Sequence, residues 1–189
     1  MTRGLLVVIS GPSGVGKDTV IRRLLELDPN LVYSVSGTTR PPRPGEKPDQ
    51  NYTVLTRERF RQLVQEGAFL EHASYNGNLY GTFRERVESA RDAGRDVVLK
   101  IDVQGAGQVR SQAPDAVSVF VVAPSAAELE RRRVERGSES AKDLESRREI
   151  AAREMTQASH YDHVVTNDDV ERAAREIDDV IARARARQT

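Results

Sequence analysis

Nine residues near the amino terminus carry the chemistry that can be read first: Gly11-Pro12-Ser13-Gly14-Val15-Gly16-Lys17-Asp18-Thr19. They follow the apolar run Leu5-Leu6-Val7-Val8-Ile9 and precede a helical pattern that begins near Val20. A glycine-rich turn between a buried strand and a helix aims backbone N–H groups, and the positive end of the helix dipole, into one cavity that suits polyphosphate. Lys17 stands where such a loop places its phosphate-binding cation. The next position ordinarily carries a Ser or Thr hydroxyl for magnesium, and here it is Asp18. Two arrangements answer that change: Thr19 takes over the hydroxyl's role, or Asp18 acts through a metal-bound water.

Transfer of a phosphoryl group between two phosphorylated molecules crowds negative charge into one place, and its catalysis is mostly positioning and charge neutralisation. Cations are therefore expected from several directions. Arg40 and Arg43 flank Pro41-Pro42 and Pro44, where a restricted backbone would hold two planar, permanently charged forks beside a second phosphate. Arg132, Arg136 and Arg147 lie in a later arginine-rich stretch. Taken alone, each group also fits a solvated loop or a charged helix face; together with the phosphate loop they read as a converging set.

The elements that must position these residues follow from periodicity. Val20, Ile21, Leu24 and Leu25 recur at helical spacing up to Asp28-Pro29, completing a first β-α unit. Val32 to Ser36 alternates like a strand, and Asn51 to Leu55 reads as another. Phe60, Leu63 and Val64 mark a short helix that ends at Gly67, and Phe69 to Tyr75 meets Leu79-Tyr80 around Asn76-Gly77 as a hairpin. A helix from about Thr82 to Ala93 is capped by Gly94. Strands at Val97 to Leu99, Val117 to Val122 and His163 to Thr166 alternate with helices, the last running through Ile177, Val180 and Ile181. Ser125-Ala126-Ala127-Glu128 is a capping box, which gives Glu128 a structural role.

Strands separated by helices predict an α/β fold, a parallel sheet covered on both faces with ligands at the carboxyl ends of its strands. Residues 36–82 interrupt the rhythm as a small mixed α/β insertion, and residues 126–158 form a helical excursion. Residues 1–35, 83–125 and 159–189 make the core.

The 189 residues suit one such core with excursions. Acidic and basic residues balance at 29 each, so bulk attraction to nucleic acid or an anionic membrane has no support. Cysteine is absent, which excludes disulfides, thiolate metal sites and a cysteine nucleophile, and fits a reducing cytoplasm. No apolar run reaches membrane-spanning length. His72, His160 and His163 lack metal-ligand spacing and read as structural.

At this depth the chain resembles the guanylate kinases, nucleoside monophosphate kinases that move the γ-phosphate of ATP onto GMP. The resemblance runs nearly end to end, through Gly-Pro-Ser-Gly-Val-Gly-Lys at 11–17, Ser-Val-Ser-Gly-Thr-Thr-Arg-Pro-Pro-Arg-Pro-Gly-Glu at 34–46, Phe-Leu-Glu-His-Ala at 69–73, Gly-Asn-Leu-Tyr-Gly-Thr at 77–82, Ile-Asp-Val-Gln-Gly at 101–105 and Asn-Asp-Asp at 167–169. It implies a P-loop core, a GMP-binding insertion and a helical lid. It also implies MgATP as donor, held by Gly11 to Thr19, with Asn167 at the adenine. The GMP phosphate would be held by Arg40, Arg43, Tyr52 and Tyr80, and Ser36, Glu71, Thr82 and Asp102 would surround guanine.

Guanine presents N1–H and its N2 amine side by side, so an ionised Glu71 can accept both, whereas adenine offers an acceptor at N1. Arg132, Arg136 and Arg147 match the lid arginines of the family; Arg131, Arg133 and Arg148 do not and read as surface. Two positions depart from the pattern: Asp18 replaces the usual Ser, and Lys100 stands where the family commonly has Asp, two residues before Asp102. Two rival readings are a non-catalytic interaction module built on the same fold and a P-loop kinase of phosphorylated sugars or other nucleotides. Lys17 and both arginine sets disfavour the first, and the GMP-site matches disfavour the second. Neither oligomeric state nor acceptance of dGMP is set by these residues.

Overall fold

A computed structural model describes residues 2–42, 45–47, 49–50, 52–135 and 155–188. Strand β1 (Leu6–Ser10) is buried along its whole length. It lies at the centre of a five-stranded parallel sheet with β2 (Leu31–Tyr33) and β7 (Asp96–Lys100) on one side, and β8 (Val117–Val122) and β9 (His163–Thr166) on the other, in the order β2-β7-β1-β8-β9. Alternate β1 side chains enter two different cores. Val7 and Ile9 pack with Val20, Ile21 and Leu24 of α1 (Lys17–Leu27) and with Ile177 and Ile181 of α6 (Val170–Gln188). Leu6 and Val8 pack with Val87 of α3 (Arg84–Asp92) and Val109 of α4 (Val103–Gln112). Helices on both faces explain the unbroken apolar run of β1, each fully buried aliphatic side chain contributing about 1.5–3 kcal/mol.

A second, four-stranded sheet of order β4-β3-β6-β5 is built from β3 (Gly37–Thr38), β4 (Thr53–Val54), β5 (Phe69–Tyr75) and β6 (Asn78–Phe83). Helix α2 (Arg57–Gln65) presses Phe60 and Leu63 against Phe69, the two phenyl rings stacking at 4.6 Å. Asn76 and Gly77 both take positive φ, 48° and 74°, which is the two-residue turn that matches strand twist in the β5–β6 hairpin. Helix α5 (Ala126–Glu135) and a single 3₁₀ turn (Ala158–His160) complete the described elements.

Three expected boundaries differ. The strand expected over Val32 to Ser36 ends at Tyr33, and by Ser36 the backbone has passed to the second sheet, its carbonyl accepting from the Thr53 N–H. The helix expected from Thr82 begins at Arg84, because Thr82 and Phe83 remain paired to Glu71 and Phe69 in the hairpin. The strand expected over Asn51 to Leu55 narrows to Thr53–Val54 against β3, and Asn51 lies outside the described residues. Ser125 caps α5 as its sequence requires, its hydroxyl accepting from the Glu128 N–H at 3.1 Å.

Candidate active site

The loop after β1 leaves the central strand at its carboxyl end. Gly11 and Gly16 have physical reasons to be glycine. Both have positive φ (141° and 95°), and a Cβ on Gly11 would fall 2.2 Å from the Val121 carbonyl oxygen, one on Gly16 2.5 Å from Asn167 Nδ2. Gly16 caps α1 without a side-chain acceptor, so the helix amino terminus faces the loop's own concavity. Within that loop Val15 is fully buried, while Pro12, Gly14 and Gly16 shape the turn and Thr19 sits in the first turn of α1. Lys17 Nζ donates to the carbonyls of Gly11 and Pro12, the latter at 3.0 Å.

This loop forms one wall of a cleft of about 570 Å³ whose opposite wall is the second sheet. Gly11, Ser13, Lys17 and Asp18 line one side, and Ser36, Arg40, Tyr52, Glu71 and Tyr80 the other, with Asp102 and Lys100 on the floor. Residues spread over ninety positions of sequence thus meet in one space.

Glu71 is set by the hairpin. β5 carries a bulge between Phe69 and Glu71, which leaves Phe69 opposite Phe83 and Glu71 opposite Thr82. An extra residue in a strand re-aims the side chain that follows it, and Glu71 sits in the cleft wall only 4% exposed. Thr82, itself fully buried, donates its hydroxyl to Glu71 Oε1 at 2.6 Å. Burial raises the Glu71 carboxyl to about 7; the Asp102 charge adds to this and the Thr82 hydrogen bond opposes it. Asp102 caps α4, its Oδ1 accepting the Gly105 N–H at 2.8 Å, and burial raises its carboxyl as well.

Arg40 is held bidentately by Glu46 at 2.8 and 2.9 Å. Its guanidinium lies 5.3 Å from the centre of the Tyr52 ring, which in turn meets Tyr80 edge-on at 5.9 Å. Lys100 Nζ is 5.1 Å from the same Tyr52 ring and forms an ion pair with Asp18. Arg132, on α5, donates to the Asn167 carbonyl at 3.0 Å and is held by Glu128 at 2.7 Å. Asn167 is 2% exposed and donates its amide to the Val15 carbonyl at 2.7 Å, so both residues attach to the back of the phosphate loop rather than line the cleft. Arg131 is paired with Glu128 on the surface. Arg43, Arg136, Arg147 and Arg148 lie outside the described residues, as does the Arg133 side chain. His72 and His160 are exposed, and among the described residues no group of three or more His, Cys, Asp or Glu is placed to hold a metal ion.

Arg22, Tyr33 and Gln50 also line the cleft and lie in no motif, while Glu46 closes the 34–46 segment without a role of its own in the sequence. For Lys100 the signal was its place two residues before Asp102 at the end of β7, a carboxyl edge next to β1.

A parallel sheet with a phosphate loop at its central strand, facing an acidic and basic pocket across one cleft, defines the P-loop class of nucleotide kinases. The guanylate kinase family model matches residues 3–184. The guanylate kinase of Rubrobacter xylanophilus is 48% identical over 183 residues, covering 97% of this chain and 96% of that protein. That of Clostridium perfringens strain SM101 is 45% identical over 185 residues, covering 98% and 86%. The crystal structure of guanylate kinase from Anaplasma phagocytophilum superposes with a TM-score of 0.82 at 37% identity, covering all of this chain and 88% of that one. The chain belongs to the guanylate kinase family. Among the described residues no helix is long and apolar enough to cross a membrane.

Proposed function

We propose that the protein transfers the γ-phosphate of ATP to GMP, giving ADP and GDP. The observation that carries this reading is the single cleft in which the phosphate loop faces a buried carboxylate and the Arg40-Tyr52-Tyr80 group. The polyphosphate of ATP lies against residues 11–19, with Lys17 turning from its loop carbonyls to a phosphate oxygen. GMP lies against the second sheet, its phosphate on Arg40, Arg43, Tyr52 and Tyr80 and its base between Ser36, Glu71, Thr82 and Asp102. Ionised Glu71 accepts from N1–H and the N2 amine, and the Thr82 hydroxyl holds that carboxylate in line.

The 5′-phosphate oxygen of GMP is already anionic at neutral pH, so no general base is required. It forms a bond to the γ-phosphorus as the bridging oxygen leaves with ADP, and the protein's task is alignment and neutralisation of charge. Residues 36–82 act as the acceptor-binding insertion and 126–158 as the lid, which brings Arg132, Arg136 and Arg147 to the transferring group and excludes water. Asn167 contributes to the donor's adenine side.

Asp18 offers a hard, anionic oxygen in the cleft beside Lys17, and Thr19 follows it in the first turn of α1. Magnesium keeps waters and substrate phosphates among its ligands, so one protein carboxylate suits it. Asp18, with Thr19, would hold the ion, which when bound supplies neutralisation of the β- and γ-oxygens. The absence of cysteine supports work in the reducing cytoplasm.

A coupled assay offering ATP with GMP, dGMP, AMP or UMP tests the reading. Turnover is expected with GMP and not with AMP or UMP; no turnover with GMP overturns it. Lys17→Met should lower kcat by about 100-fold or more with an unchanged melting curve.

A further inference from the structure

Asp18 and Lys100 are 82 positions apart in sequence, and the structure joins them as an ion pair across the cleft floor, from the first turn of α1 to the last residue of β7. The partners are unequally placed: the Lys100 side chain is 15% exposed and that of Asp18 67%. The ammonium is enclosed, and the carboxylate that meets it stands at the solvent side. The Tyr33 and Tyr52 side chains also face Lys100. Its ammonium is held by the Asp18 carboxylate and packs against the Tyr52 ring, so the charge is compensated where it stands.

Tyr52 links this cation to Arg40. Both lie against one ring, Lys100 Nζ at 5.1 Å and the Arg40 guanidinium at 5.3 Å from its centre. A phosphate held by Arg40 and Tyr52 would thus sit at the same ring as Lys100. A surface ion pair with a largely exposed member is worth little, whereas a charge-assisted bond to a phosphate dianion in an enclosed floor is worth more. The exchange of partner is thus favourable.

We propose that Lys100 is a further substrate-binding cation of this protein. It contacts the acceptor's 5′-phosphate from the donor side, and Asp18 is the internal anion that the phosphate displaces from it. This rests on the reading of the second sheet as the acceptor site. It gives the two departures from the family pattern one joint explanation: the negative charge on α1 and the positive charge on β7 occur together because each compensates the other until substrate takes the lysine.

The test is calorimetric binding of GMP and of guanosine in EDTA, where neither metal nor turnover contributes. The ratio of the two dissociation constants isolates the phosphate. Lys100→Met should weaken GMP binding about tenfold with guanosine binding little changed, and Lys100→Arg should restore most of the loss. Asp18→Asn should tighten GMP binding, and that gain should vanish in the double variant. A purely structural pair gives a different pattern: both single variants weaken GMP and guanosine alike and lower the melting temperature. That pattern, or an unchanged ratio in Lys100→Met, overturns the inference. Should the wild type bind GMP no better than guanosine, the acceptor-site reading itself fails, which distinguishes the two failures.

Discussion

In the proposed base readout Glu71 would have to be buried enough to read a base and ionised enough to read guanine, and these demands conflict. Burial lifts its carboxyl from the ordinary 4.5 to about 7, so near neutrality part of the population carries a proton that blocks acceptance from N1–H. GMP binding should accordingly strengthen as pH rises through 7. The phosphate itself titrates near 6, so Glu71→Gln, which keeps the phosphate and loses the carboxylate, is the reference. Calorimetry at pH 6 and 8 should show a steeper gain for the wild type than for the variant; parallel slopes would contradict the base readout. The sign for stability is opposite. The folded chain holds this proton more tightly than the unfolded one, so stability falls as pH rises from about 4.5 to 7, and Glu71→Gln should be more stable than wild type at pH 8 by roughly 2 kcal/mol in denaturant titrations. Glu71 was legible as a candidate from its motif. Its pairing with Thr82 and its raised carboxyl were not, because both depend on a bulge that no alternation pattern announces.

At the scale of elements, the site depends on how closely α4 approaches β5. A Cβ on Gly105 would lie 2.4 Å from Glu71 Oε2. Gly105→Ala should therefore push the carboxylate off Thr82 and lower kcat/KM for GMP by about 10- to 100-fold, while KM for ATP changes little; equal losses for both substrates would point to general misfolding. Strands β8 and β9 were legible to the residue, since each is dominated by valine and other apolar or β-branched residues, interrupted only by Ser118 and His163. The two- and three-residue strands β2, β3 and β4 were not, since pieces that short carry no period and owe their existence to partners far away in sequence. The same reason hides the contact between Lys100 and Asp18 in the sequence: each stands out there only as an odd residue type, and the adjacency of β7 to β1 makes them a pair.

On the scale of the whole molecule, the proposed catalytic cleft and a set of buried ion pairs occupy opposite edges of the parallel sheet. The cleft is at the carboxyl edge. At the amino edge Arg185 of α6 binds both Asp28 and Asp96, whose side chains are 9% and 3% exposed, and Arg91 of α3, 2% exposed, binds Asp115 and the Gly4 carbonyl. Removing one cation from two buried carboxylates is costly. Arg185→Met should destabilise by about 3 kcal/mol, a fall in Tm of roughly 6–12 °C, with kinetic constants for GMP and ATP unchanged below the transition. A loss of activity without a loss of Tm would show that the two edges are coupled.

The order β2-β7-β1-β8-β9 also has a consequence in time. Within this sheet the central strand comes first in the chain, and its two neighbours begin at residues 96 and 117. At about 5–20 residues per second the ribosome needs roughly 5–20 s to deliver them. Throughout that interval Leu6 to Ile9 is an apolar segment with no lateral partner to pair with, while the β5–β6 hairpin can already close on itself. Nascent chains arrested before residue 96 should therefore engage chaperones through their first strand, and those released after residue 122 should not.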